Sequence, residues 1–391
     1  MSPVERRAGA ALASIFALRM LGLFLILPVF AVFARTLPGG GDPVLVGVAL
    51  GAYGGTQALL QIAYGLASDR WGRKPVIVLG LILFAAGCFV AAAAPDIYWM
   101  IAGRVIQGTG AISAAVTALA ADLTREQHRT KVMAMIGSSI GLVFAFSLVA
   151  APPLYAAIGM GGIFTLTGVL ALGAIVLLAK VVPAPPPPAA AAPVPFSRVL
   201  LHGQLARLNY GVLALHMMQT ALWVVVPPIL VAVGLPLAEH WKVYLPAVLA
   251  SFAVMVPAII AAEKHGHMKN VFLAAIALLI LVQGAMAAVT DGVYAIGLML
   301  MVFFIGFNIM EALQPSLISR VAPPAAKGAA MGVYNTTQSI GVALGGALGG
   351  WLLKHFGAAA VHGFCVALGV TWMALAASMR PPARPGAASS T

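Results

Sequence analysis

The sequence predicts an all-α membrane protein: twelve transmembrane helices in two pseudo-symmetric six-helix bundles, with both termini cytosolic. Three observations lead there. First, the chain is 62% hydrophobic and only 8% charged, with a mean hydropathy of +1.02, where an ordinary soluble domain carries roughly 25% charged residues. That much apolar surface needs lipid as its solvent. Second, the apolar runs are continuous and long enough to cross a bilayer as helices, unlike the ~10-residue alternating segments of a membrane β-barrel. Third, the basic residues sit in the connections between runs, and mostly on one side.

Taken in order, the runs cover 8–34, 44–66, 75–94, 97–121, 132–157 and 161–181, then 209–233, 241–262, 270–289, 293–318, 328–353 and 360–379. Between the two sets lies a proline/alanine stretch, PAPPPPAAAAPVP over 183–195, which cannot continue a helix and acts as a semi-rigid spacer. The domain reading is therefore an N-terminal bundle over 1–182, a cytosolic linker over 183–208, a C-terminal bundle over 209–380 and a short tail over 381–391. Within the linker, 196–208 reads either as a short amphipathic helix on the inner membrane face or as a plain tether.

Orientation follows from the Lys and Arg positions. With the N-terminus inside, 17 fall in cytosolic segments and 3 (Arg35, Lys242, Lys354) in outer loops, leaving Arg19 and Arg104 inside spans. This is the positive-inside pattern. It accounts for the net charge of +12 with membrane lipid, rather than nucleic acid, as the partner. Cys88 and Cys365 both lie in apolar runs and offer neither a disulfide framework nor metal-ligand spacing. Residues 1–7 are too short for the charged region of a cleaved leader, so the first span is read as retained.

The polar residues that survive inside this apolar chain are the functional candidates. Glu311 is the one acid within a span, with Asn308 three residues before it and Gln314 three after. A carboxyl in apolar surroundings favours its neutral form, which suits a proton carrier, or else it is a permanently neutral hydrogen-bonding group. Arg104, Gln107, Gly108 and Ala111 share one helix face. An arginine at that depth usually faces an interior or a water-filled cavity. Arg19 lies midway along the first span and could meet a substrate anion, Glu311 or helix carbonyls. His216, Gln219 and Trp223 form a polar-aromatic face on the seventh span, with Trp223 a candidate stacking wall. Gln57, Gln61, Asn335 and Gln338 complete the uncharged polar set, which could line a cavity or tie helices together. Glycine stripes at Gly137 and Gly141, and at Gly341, Gly345, Gly346, Gly349 and Gly350, predict close helix packing.

The stretch Gly65-Leu66-Ala67-Ser68-Asp69-Arg70-Trp71-Gly72-Arg73-Lys74-Pro75, a charged turn between the second and third spans, resembles the signature loop of the major facilitator superfamily. Arg104-Val105-Ile106-Gln107-Gly108-Thr109-Gly110-Ala111 resembles that family's fourth-helix motif, whose arginine is tied to proton coupling. Nearly the whole chain is similar to the drug:proton antiporter branch. The runs Leu18-Arg19-Met20-Leu21-Gly22, Asp122-Leu123-Thr124-Arg125-Glu126-Gln127, Ala238-Glu239-His240-Trp241-Lys242-Val243-Tyr244 and Met310-Glu311-Ala312-Leu313 resemble one type within it. Relatives of that type can carry an extra cytosolic domain after the twelfth span; the tail over 381–391 is too short for one.

The resemblance implies repeated halves, consistent with the echo of Ala67-Ser68-Asp69-Arg70-Trp71-Gly72-Arg73 in Ala261-Ala262-Glu263-Lys264-His265-Gly266-His267. It implies that Asp69 docks on the free N–H groups at the cytosolic start of the eleventh span, with Gly65, Arg70, Gly72, Arg73, Lys74 and Asp122 completing a conformational latch. Otherwise the loop only sets orientation. It also implies proton coupling through Arg104 and Glu311. One departure stands out: the fifth span reads Ala151-Pro152-Pro153-Leu154 where antiporters carry a Gly-Pro pair. The expected protein is a monomeric transporter of the bacterial inner membrane, not an enzyme. It moves a small, drug-like solute by proton-driven antiport and needs no cofactor or metal. A facilitator or proton symporter for a small metabolite is the alternative.

Overall fold

A computed structural model describes residues 1–184, 199, 202–264, 266–288, 292–323 and 326–379. Every regular element among them is helical. Helices α1 (Pro3–Phe24) and α2 (Leu27–Ala34) form one interrupted rod, because Pro28 enters the first turn of α2 and brings no N–H to continue α1. The single run expected over 8–34 is thus two helices. Asp42 caps α3 (Pro43–Trp71), its carboxylate accepting from the Val44 N–H at 2.9 Å. Gly72, at φ 91°, ends α3 and starts α4 (Arg73–Ala92) in a backbone conformation that a side chain resists.

The expected fourth run is likewise divided, into α5 (Ile97–Thr109) and α6 (Ser113–Asp122). Then come α7 (Glu126–Val181), α8 (Gly203–Ala232), α9 (Trp241–Lys264), α10 (Met268–Ala288), α11 (Val293–Val321) and α12 (Lys327–Ala377). Helices α7 and α12 hold 56 and 51 residues, and each is broken inside by a glycine of positive φ, Gly159 at 66° and Gly357 at 80°. Ten of these helical stretches are long and apolar enough to cross a membrane. The linker over 185–198 and the tail over 381–391 lie outside the described residues, as does most of the short helix expected over 196–208.

The first half (1–182) and the second (203–379) repeat each other in their contacts. Lys74 Nζ donates to the Val182 carbonyl at 2.5 Å, and Lys269 Nζ donates to the Ala377 carbonyl at 2.7 Å, each pair 108 positions apart. Thr167 meets Cys88 Sγ at 3.5 Å, and His362 meets Gln283 at 2.7 Å, each pair 79 positions apart. The same helix pairs are therefore tied at the same places in both halves, although the residues differ.

The halves meet at one end. Phe30, Leu50, Phe144 and Leu148 of the first half share a buried core with Trp223, Phe303 and Phe304 of the second. A second core, which includes Leu12, Ile77, Ile112, Ile136 and Leu178, draws on the first half alone. The joined end is the one carrying Asp42; the other carries Asp69. Helices α3 and α12 close the joined end backbone to backbone. A Cβ on Gly47 would lie 2.1 Å from the Gly346 carbonyl oxygen, and one on Gly350 would lie 2.2 Å from that of Pro43. Near the Asp69 end the picture reverses: around Gly137, Gly141, Gly328 and Gly332 nothing lies within 4 Å of such an atom. Among the described residues, the close packing expected of Gly137 and Gly141 is not made in this conformation.

An ion pair crosses the joined end, Lys354 Nζ to Asp42 Oδ2 at 2.7 Å. Lys354 above all, and then the Val44 N–H, hold the Asp42 carboxyl below the usual carboxylate range. A lowered acid stabilises above its ordinary pKa and loses that effect as pH falls through the lowered value, so the bridge stays charged at neutral and mildly acidic pH. Both partners are partly exposed, 45% and 31%. Lys354→Met is therefore expected to loosen this end by about fivefold at most, the ~1 kcal/mol ceiling of an exposed pair. Maleimide labelling of a cysteine at Gly41 measures it, and in ~1 M salt the variant and parent converge.

Candidate functional site

Three groups of polar side chains stand out against the apolar helices. The first is the charged loop after α3. Arg73 is its hub: it pairs with Asp69, donates to Asp122 Oδ2 from Nε at 3.0 Å and to Ser68 Oγ from Nη1 at 2.7 Å. Gly72 makes the turn and Lys74 clamps the end of α7 through Val182. Arg70 lies exposed in the last turn of α3. Asp69 is 58% exposed, and among the described residues its partner is Arg73 rather than the start of α12. The expected docking is not made in this conformation, because the halves are parted at this end. At Gly65 a Cβ would meet Ala114 at 3.7 Å, an ordinary contact.

The second group surrounds Tyr53 on α3. The Arg19 guanidinium on α1 lies 5.8 Å from the Tyr53 ring centre and that of Arg104 on α5 lies 5.1 Å from it. Arg19 donates to Ser113 Oγ and Gln57 Oε1, both at 3.0 Å. Arg104 donates to the Ala49 carbonyl at 3.3 Å and to Gln107 Oε1 at 2.5 Å, and Gln107 in turn donates to Cys88. Arg19 therefore meets neither Glu311 nor a helix carbonyl. Both guanidinium groups are buried, and among the described residues neither has a carboxylate partner.

The third group joins α8, α11 and α12. His216 Nδ1 faces the Val212 carbonyl at 3.0 Å. A carbonyl only accepts, so Nδ1 carries the hydrogen and Nε2 presents its lone pair as an acceptor. Toward Nε2 point the Gln338 amide at 2.6 Å and Glu311 Oε1 at 3.2 Å. Glu311 Oε1 is buried and has no hydrogen-bond partner in this arrangement, so the acid stands beside the imidazole as a group that a proton would satisfy. The Glu311 side chain is 31% exposed although its neighbours on α11 are largely buried, so it opens on the space between the halves. His216 is thus a titratable neighbour of the acid. Asn308, one turn before, donates to Ser251 Oγ at 2.9 Å, while Gln219 is buried and Asn335 half-buried nearby.

The aromatic residues form a bridge that sequence spacing does not reveal. Phe144 of α7 packs on Phe304 and Phe307 of α11 at 6.0 and 5.6 Å, and Phe307 faces His216 at 5.9 Å. Trp223 is wholly buried between Tyr244 and Phe304. It is a packing residue here and presents no open stacking face.

The comparisons agree with this architecture. The family model described as "Major Facilitator Superfamily" matches residues 12–345 and 208–391. The chain is 43% identical over 387 residues to the inner membrane transport protein YajR of Escherichia coli, covering 98% of this chain and 85% of YajR; this is the type that the Arg19, Glu239-His240-Trp241 and Glu311 runs resemble. A more distant relative is the multidrug resistance protein MdtH of Proteus mirabilis, 27% identical with 85% and 84% covered. Among solved structures, a bacterial homologue of the human lysosomal transporter Spinster superposes with a TM-score of 0.75 at 14% identity, covering 96% of each chain. Human MFSD10, described as an organic anion transporter, gives 0.72 at 18% identity, with 96% and 100% covered. The chain is a multi-pass protein of the bacterial inner membrane, and it belongs to the major facilitator superfamily.

Proposed function

We propose that this protein is a proton-coupled antiporter that expels small, drug-like solutes across the inner membrane by alternating access, acting as a monomeric transporter rather than an enzyme. It has twelve spans and cytosolic termini. Helices α7 and α12 each supply two crossings, since 56 and 51 residues would otherwise run to about 75–85 Å against a hydrocarbon core of ~30 Å. The 17 to 3 division of basic residues supports the orientation. On that reading the Asp42 end is outer and sealed, the Asp69 end is inner and parted, and the conformation faces the cytosol. Energy comes from the proton gradient, with no cofactor.

The observation that carries the proposal is the Glu311–His216 pair, an acid 3.2 Å from an imidazole mid-span with its carboxyl 31% exposed. The printed name of one relative, a multidrug resistance protein, supports efflux. Arg104 sits 5.1 Å from Tyr53 in the other half, so its share in coupling is conformational and not direct proton exchange with Glu311. Purified protein in proteoliposomes tests the proposal: an imposed pH gradient should drive dye against its own gradient, and dye flux indifferent to pH rules out antiport. The facilitator or symporter alternative draws on Ala151 standing where antiporters carry glycine before Pro152, and the same assay separates it by the direction of the coupled flux.

Asp69 belongs to the other half of the cycle. When the inner end closes, the start of α12 comes to Asp69 and its free N–H groups stabilise the carboxylate. Asp69→Asn should therefore raise the labelling of a cysteine at Gly332, about two- to fivefold for a helix-end charge worth 0.3–1 kcal/mol. Cys88 and Cys365 are buried and give little background. Equal labelling in both proteins removes the latch.

A further inference from the structure

Resting on the reading of the chain as a solute transporter, we propose that its solute is an organic anion whose carboxylate or phosphate is held in the first half by Arg19 and Arg104 beside Tyr53. Arg19 is 1% exposed and Arg104 is 0% exposed, with both guanidinium groups within 6 Å of one tyrosine ring centre. Neutral acceptors from Ser113, Gln57, Ala49 and Gln107, and the ring face, return less than the desolvation of two like charges costs. The chain's acids are elsewhere: Glu311 lies beside His216 within the second half, and the other described carboxylates lie at helix ends. A ligand that brings its own negative charge completes the set.

Unmet hydrogen-bonding groups mark where it sits. Arg19 Nε, Arg104 Nη2, the Tyr53 hydroxyl and both amide atoms of Gln61 are buried without a partner. Tyr53, Gln57 and Gln61 follow at four-residue intervals on α3, so they share one face. A carboxylate or phosphate accepts from guanidinium groups and a phenol, which the unmet Arg19, Arg104 and Tyr53 donors supply, and Gln61, two turns further along α3, extends the same polar face. Helix α3 is also the one that seals against α12. An anion held on its inner face therefore binds to the element that moves between the two states.

The test is ligand-induced thermal stabilisation of the full-length protein in lipid nanodiscs. The probes are benzoate, phenyl phosphate and fluorescein, set against ethidium and tetraethylammonium, with chloride and inorganic phosphate as ion controls. At least one organic anion should raise the melting temperature with saturation, the organic cations should not, and Arg19→Lys should weaken the midpoint at least tenfold. That variant keeps the charge and loses the fork. Gln61→Leu, which removes an uncharged member, should weaken it severalfold. Stabilisation by the cations alone, by the inorganic ions alone, by no probe, or by an anion whose midpoint is unmoved in Arg19→Lys and Gln61→Leu overturns the assignment. Proton release measured on the same preparation reports on Glu311 separately. Loss of that signal with anion stabilisation retained counts against the coupling reading only.

Discussion

Glu311→Gln should abolish proton-driven solute movement and leave solute exchange running. The carboxyl lies 3.2 Å from His216 Nε2 and its Oε1 has no hydrogen-bond partner, so it is the group at this depth placed to take up and release a proton. Glutamine copies the neutral acid in size and hydrogen bonding and cannot release a proton. The half-cycle that runs with the acid protonated survives, and the half-cycle that needs it ionised does not. Uphill flux in proteoliposomes should fall at least about a hundredfold, the scale on which a positioned proton-transfer group acts. Exchange of labelled against unlabelled solute at equal pH should stay within about twofold of the parent. His216→Gln should cause a smaller loss, because the carboxyl keeps its opening on the space between the halves. Unchanged uphill flux in Glu311→Gln would remove the acid from the mechanism.

Gly346→Val should break the seal at the Asp42 end. A Cβ on Gly346 would lie 2.3 Å from the Gly47 carbonyl oxygen and 2.8 Å from the Gly51 nitrogen, and backbone atoms cannot swing aside as a flexible side chain does. Helices α3 and α12 must separate. Overpacking of this kind costs about 1–3 kcal/mol, which shifts a two-state equilibrium by roughly five- to hundredfold. The opposite face of α12 presses on α8 through Gly341 and Gly345, where a Cβ would meet the Leu213 and Met217 carbonyl oxygens at 2.6 and 2.5 Å. That contact lies within one half, so it holds in both states and the bundle itself survives. A cysteine at Gly41 should become correspondingly more reactive in Gly346→Val. Gly141→Ala, with nothing within 4 Å of the new atom, serves as the control and should label like the parent. A conformational balance unchanged by Gly346→Val would mean that the α3–α12 contact does not set it.

The membrane class, the charged loop and the isolated Glu311 were legible in the sequence because each is a local signal: apolar run length, a turn glycine flanked by charges, one acid where none is expected. The pairing of Arg73 with Asp122 came through the resemblance, which implies that both belong to one latch, and not from a local signal. The His216–Glu311 pair was harder. Both residues read as polar positions in an apolar helix, and nothing in the spacing says that α8 and α11 turn those faces toward each other. Arg19 shows the limit most clearly. Its candidate partners were an anion, Glu311 or helix carbonyls, whereas its bonds go to Ser113 and Gln57, and Tyr53, with its ring centre within 6 Å of both guanidinium groups, carried no sequence mark at all. Trp223 fits a wall by helical spacing and is a core residue by packing. The glycine stripes announced close approach without naming the neighbour. Those of α12 meet α3 and α8, while Gly137 and Gly141 face open space at the parted end. Such differences arise because packing between halves depends on the conformational state, and a sequence encodes both states at once.

Distances across the two ends, measured together, test the alternation of the halves most directly. Spin labels at Gly41 and His355 would report on the end closed by the Asp42–Lys354 pair, and labels at Arg70 and Gly328 on the other. Double electron–electron resonance in nanodiscs should give two distances for each pair, with the short distance at one end occurring with the long distance at the other, and with the balance moved by pH in the parent but not in Glu311→Gln. A single distance at each end that neither pH nor solute shifts would contradict the account.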